Sequence, residues 1–121
     1  MLALENKNVK GLFFKQTCVV APEQYDVFLN GKYVAYVRCR WGKLKVNPID
    51  TDKIIIPDIE HISDYDFEFL ENNFHMYGHT DFEMYIYYKE WPDEPYKSDI
   101  PKEEFEKIAD AIYRYLNRET K

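Results

Sequence analysis

The residues best placed to do chemistry are Arg38, Arg40, Lys43 and Lys45, in the stretch YVRCRWGKLKV. Side chains alternate faces along a strand, so basic residues two apart on either side of a tight turn share one face. Trp41-Gly42 supplies that turn, and its composition predicts a type I turn with Gly42 in the left-handed region. Such a face suits phosphate groups, and Tyr36, with Tyr25 expected at the end of the same surface, adds rings for a nucleotide base to stack on. The same alternation also describes the solvated side of any half-buried antiparallel sheet.

A second group is acidic. Asp58, Glu60, Asp64, Asp66, Glu68 and Glu71 fall in residues 58–71, which contain no Lys or Arg. Converging carboxylates could hold a divalent ion for phosphodiester chemistry. The set could also imitate a phosphate array and occupy a basic groove on a partner protein, or simply be a solvated face. His75 and His79 are four apart, with His61, Asp58 and Glu60 as further donors, but Gly78 interrupts the helix that would align them. No metal is expected. There is no Ser-His-Asp set, Gly-rich phosphate loop or dinucleotide fingerprint, so neither catalysis nor a cofactor is expected.

The elements that must hold these groups read as follows. Asn30-Gly31 is a strong two-residue hairpin signal. It places Leu29 opposite Lys32, Phe28 opposite Tyr33 and Val27 opposite Val34, with Tyr33, Ala35, Val37, Cys39 and Trp41 on one face. Residues 1–10 look like a loose leader, and 11–20 form a β-type run that Pro22 ends. Residues 47–52 are a turn-rich loop, and 53–56 are a short edge strand at best. Over 63–78 a helical pattern (Phe67, Leu70, Phe74 behind Ser63) competes with strand alternation, and a helix over 64–76 is favoured. Residues 81–91 alternate as a strand with large groups on both faces, which makes Tyr85 and Tyr87 candidates for a homodimer or partner interface. Phe105, Ile108, Ala109, Ile112, Tyr115 and Leu116 make one stripe of a C-terminal helix over 100–119. The expected fold is α+β: an antiparallel β-meander of about three to five strands packed by a C-terminal amphipathic helix in one domain.

Charge is unevenly spread. The net charge is −6, yet residues 1–46 carry +5 and residues 47–99 carry −11. An acidic total disfavours nucleic acid as the main ligand, while the segregation leaves two opposed patches. No apolar run reaches the length of a membrane span, and the N-terminus lacks a signal-peptide core, so a cytoplasmic protein is expected. Cys18 and Cys39 read as reduced, buried thiols.

The stretch PEQYDVFLNGKYVAYVRCRWGKLKV resembles a family of small proteins of phages and prophages that share a PEQYDVF segment, a Gly turn and a YVRxRxGxLxV strand pair. The likeness covers about residues 17–46, and a short C-terminal helix is similar. It implies a mobile-element accessory protein acting in the host cytoplasm, with no catalytic residues to transfer. Inhibitors of host nucleic-acid-targeting defence, of the anti-CRISPR or anti-restriction type, are one such class. They would use the acidic segment against a host protein.

Overall fold

Three tight turns of one kind shape the chain, and the computed structural model describes them within residues 4–18, 22–74 and 84–118. Lys10-Gly11, Asn30-Gly31 and Trp41-Gly42 each place both central residues at positive φ (52° and 86°, 52° and 84°, 57° and 70°). That is the mirror-image turn whose twist matches paired strands. The expected type I turn at Trp41-Gly42 is therefore corrected: Trp41 is itself left-handed.

The turns join β1 (Lys7–Val9) to β2 (Leu12–Gln16), β3 (Glu23–Leu29) to β4 (Lys32–Arg40), and β4 to β5 (Lys43–Pro48); with β6 (Tyr87–Glu90) these strands form one antiparallel meander in sequence order. It has six strands rather than three to five. The additional one, β1, lies in the expected loose leader and pairs with β2 through the Lys10-Gly11 turn. Residues 53–56 are not an edge strand; Ile55 makes a single bridge to Lys32. The strand expected over 81–91 is regular only from Tyr87, and 81–83 lie outside the described residues.

A bulge sets the two faces. Phe28 pairs with Tyr33, but Val27 pairs with Ala35 rather than Val34, so β4 carries one extra residue. Below the bulge, Tyr33 turns to the opposite face from Ala35, Val37 and Cys39. Those three join Leu12, Phe14, Tyr25, Val27, Leu44 and Val46 against Phe105, Ile108, Ala109 and Ile112 of α2 (Glu104–Leu116). Tyr25 thus belongs to this core and not to the basic surface. It sits edge-on to Phe14 and Phe105, with ring centroids 5.9 and 5.6 Å away. The helix is shorter than 100–119 because residues 101–103 form a turn in which Glu104 N donates to Pro101 O (2.9 Å).

The opposite face is covered over part of its length by α1 (Asp64–Phe74) and the loop before it. Ser63 caps α1, accepting from Asp66 N at 3.1 Å. Phe67 and Phe74 pack on Phe28 and Tyr33, with Ile49, Ile54 and Ile59 beside them. The helical reading of 64–76 holds through Phe74; the remaining two residues lie outside those described.

Gly42 fixes the far end of the sheet. A Cβ there would stand 2.6 Å from Glu94 O, and Gly42 N donates to Lys97 O (2.9 Å). With φ at +70° as well, Gly42→Ala should cost about 1–3 kcal/mol. Urea unfolding measures this, and a loss below about 0.5 kcal/mol, the range of an unconstrained surface site, would contradict the packing described.

Candidate functional site

On the face shared with α1, the residues form rows across the strands. Phe13, Phe28 and Tyr33 make the first row, and Lys15, Asp26, Tyr36 and Asn47 the second. Both lie beneath α1 or at its margin. The third row is Gln24, Arg38, Lys45 and Tyr88, and the fourth contains Arg40, Lys43 and Glu90. The sequence-based grouping of Arg38, Arg40, Lys43 and Lys45 is therefore observed. Opposed strand residues stand about 5 Å apart and successive rows about 7 Å apart, so the cations form a compact block.

None of these four side chains forms an ion pair among the described residues, although nine such pairs occur elsewhere. Aromatic rings flank them instead. Lys45 Nζ lies 5.3 Å from the Tyr85 ring centre, and the Arg40 guanidinium lies 5.0 Å from that of Trp41. Arg38 Nε is buried with no hydrogen-bond partner among the described residues. Glu90, opposite Lys43, accepts from Tyr88 OH (2.9 Å) and forms no ion pair with Lys43; like charges held side by side are unfavourable, and a bound anion would relieve them. Tyr36 marks the border with α1: it is half-buried, and its hydroxyl donates to Gln24 Oε1 (3.1 Å).

Tyr85 and Tyr87 do not share a surface. Tyr85 is exposed and meets Tyr88 with centroids 5.7 Å apart, at the margin of the basic block. Tyr87 pairs with Val46 and packs on the α2 side, where its hydroxyl donates to Glu104 Oε1 (2.6 Å). Burial works to raise the Glu104 carboxyl, but hydrogen bonds from Tyr87 and Lys89 and the charges of Lys89 and Lys107 outweigh it. Glu104 is held below its ordinary range. Tyr87 is a structural residue here.

The acidic set is dispersed rather than convergent. Asp58 pairs with His61 (2.7 Å), Asp64 pairs with buried Lys15, and Asp66 accepts from Ser63 Oγ (2.9 Å). Glu60 and Glu68 are exposed. Glu71 turns inward towards Asp26, which is 2 % exposed and accepts from Tyr33 OH (2.6 Å). Asp64 and Glu71, two turns apart on α1, thus bracket Phe67 and fasten the helix to the sheet. Among the described residues no group of three or more His, Cys, Asp or Glu is arranged to hold a metal ion. His75 and His79 lie outside the described residues. Both cysteines are free; Cys39 is buried, which pushes its thiol up to about 11, while Cys18 is half-buried.

Sequence reading missed Asp26. Burial, then the facing Glu71, holds its carboxyl well above the ordinary range. Its Oδ2 has no N–H or O–H donor among the described residues, and two facing carboxyls can hydrogen-bond only when one is protonated. As pH rises through the ordinary carboxylate range, the unfolded chain releases this proton while the folded one retains it. Stability therefore falls with rising pH until the folded Asp26 also ionises. Asp26→Asn keeps an acceptor for Tyr33 and removes the titration. The variant should gain on wild type from about pH 4 upward, reaching about 1–3 kcal/mol near neutrality. Urea midpoints across pH measure this difference, and a gap independent of pH would refute the assignment.

Sequence reading also missed the exposed aromatics at the far end of the sheet. Trp41 is 57 % exposed and Tyr96 is 81 % exposed. Their rings meet edge-on at 6.2 Å beside Arg40. A Trp at a turn position that ordinarily takes Asn or Gly was the available signal.

The fold and site define an α+β meander with a helix on each sheet face and, beside one of them, a basic patch whose four cations form no ion pair among the described residues. No protein-family model matches the chain, and no curated protein or solved structure matches it. Among the described residues, no helix is long and apolar enough to cross a membrane.

Proposed function

We propose that this chain is a non-catalytic binding protein whose open sheet face takes up the phosphates of single-stranded nucleic acid. The observation carrying this reading is the block Arg38, Arg40, Lys43 and Lys45, assembled on one face with no ion pair among the described residues. Flanking Tyr85, Tyr88 and Trp41 suit unpaired bases, whose open π faces stack on aromatic side chains. The acidic total weighs less than its distribution, since Asp58, Asp64, Asp66 and Glu71 have partners within the fold. Fluorescence anisotropy with a labelled twelve-nucleotide oligothymidine tests the reading. Micromolar binding at about 50 mM salt that weakens steeply by about 200 mM is expected. No binding at the lower salt would refute it.

A specific feature favours a second reading, in which the chain is a mobile-element accessory protein that blocks a nucleic-acid-targeting host protein. On the outer side of α1, Tyr65 and Phe69 are 81 % and 68 % exposed and one helical turn apart, beside Asp66 and Glu68. Such a stripe fits a basic, apolar groove on a protein. Tyr65→Ser with Phe69→Ser would then abolish inhibition of that host activity while sparing oligonucleotide binding.

A further inference from the structure

We propose that the cleft between Trp41 and Tyr96 is a nucleobase-binding site, placed to receive a base whose flanking phosphates lie on the Arg38–Lys45 block. The inference rests on the phosphate reading and adds to its flanking rings a defined cleft for one base.

Trp41 has φ 57°, a region that bulky side chains enter only at a cost and that Asn or Gly enters readily. Of the two equivalent positions, Asn30 is the residue such a turn prefers, and Lys10 is held within the fold by Asp110 (2.8 Å) and by Tyr113 OH on its carbonyl (2.6 Å). Trp41 recovers little of this cost through burial, because more than half of it is exposed. Strained residues that gain so little from packing concentrate at ligand sites.

The partner ring is deliberately held. Residues 91–98 are tied to the sheet by Trp91 N to Gly42 O (2.8 Å), Gly42 N to Lys97 O (2.9 Å) and Glu23 N to Ser98 O (2.9 Å). Within this segment Lys97 lies over the Trp91 ring at 5.4 Å. These bonds set Tyr96 beside Trp41 while leaving its own ring in water. Beside their edge-on contact opens a cleft of about 240 Å³ lined by Pro22, Arg40, Trp41, Tyr96 and Ser98. Trp41 and Tyr96, their rings inclined at 63°, each give it one aromatic surface; Ser98 offers a hydroxyl, and Arg40, whose guanidinium lies 5.0 Å from the Trp41 ring centre, belongs to both cleft and cation block. A planar heterocycle bearing a phosphate is the ligand class that satisfies all three features.

The test compares oligothymidine with an abasic strand of the same phosphate count, against wild type, Trp41→Asn and Tyr96→Ser. The expected result is that wild type binds oligothymidine about tenfold or more tightly than the abasic strand, with quenching of Trp41 fluorescence by the former alone. Both variants should lose most of this preference for oligothymidine, keeping only what Tyr85 and Tyr88 supply, with unchanged abasic affinity. Trp41→Asn should not lower Tm, since Asn suits the turn, so lost binding cannot be ascribed to lost folding. Thymidine monophosphate binding as tightly as the strand would support the cleft with a free nucleotide as its ligand. Equal binding of both strands, unaltered in the variants, would overturn the cleft and leave the phosphate reading standing. Failure of both strands to bind would overturn both.

Discussion

Replacing Arg40 and Lys43 together with Gln should weaken oligothymidine binding about a hundredfold or more while leaving the unfolding midpoint nearly unchanged. Each residue lost removes a charge-assisted contact of about 1.5–3 kcal/mol. Both side chains are exposed, and neither forms an ion pair among the described residues. Surface changes of that kind usually shift stability by no more than about 0.5 kcal/mol. Anisotropy and urea unfolding on the same preparation separate the two effects. Unchanged affinity would place the phosphate contacts elsewhere. A large loss of stability would show that the pair serves the fold.

The second large effect concerns the layer beneath α1. Phe28 is fully buried, stacked on Tyr33 at 5.3 Å and set against Phe67 and Phe74 at 6.1 and 6.3 Å. Phe28→Ala should cost about 3–5 kcal/mol, because the surrounding rings can close the cavity only in part. α1 should be the first element released, since Phe67 and Phe74 lose their central contact and keep Tyr33 and the isoleucines beside it, with Leu70 and the polar fastenings at Asp64 and Glu71. Hydrogen exchange would show protection lost in residues 64–74 before α2. Uniform loss of protection would mean that the two layers unfold as one.

The features legible in the sequence were those governed by short-range rules. Asn30-Gly31 announced its hairpin, period-two alternation grouped Arg38 with Lys45 and Arg40 with Lys43, and the stripe from Phe105 to Leu116 announced α2. What was not legible depended on register or on remote partners. One extra residue between the Phe28–Tyr33 and Val27–Ala35 pairs moved Tyr33 to the other face, and no local pattern marks such a bulge. Tyr25 was misplaced because a residue's face is set by its partner, Val37, and not by its chemistry. Tyr85 and Tyr87 were joined by alternation, yet the chain becomes regular only at Tyr87. The acids of 58–71 looked like one surface because Lys15 and Asp26, which draw Asp64 and Glu71 inward, lie far away in sequence.

The most direct test of the central claim is the salt dependence of oligothymidine binding by wild type and by the variant in which Arg38, Arg40, Lys43 and Lys45 are all Gln. If the four cations each neutralise one phosphate, log K should fall against log salt with a slope of about −2.8 for the wild type. The variant should give a slope near zero and any residual affinity should be that of base stacking alone. Equal slopes for the two proteins, or a wild-type affinity indifferent to salt, would contradict the assignment of this face.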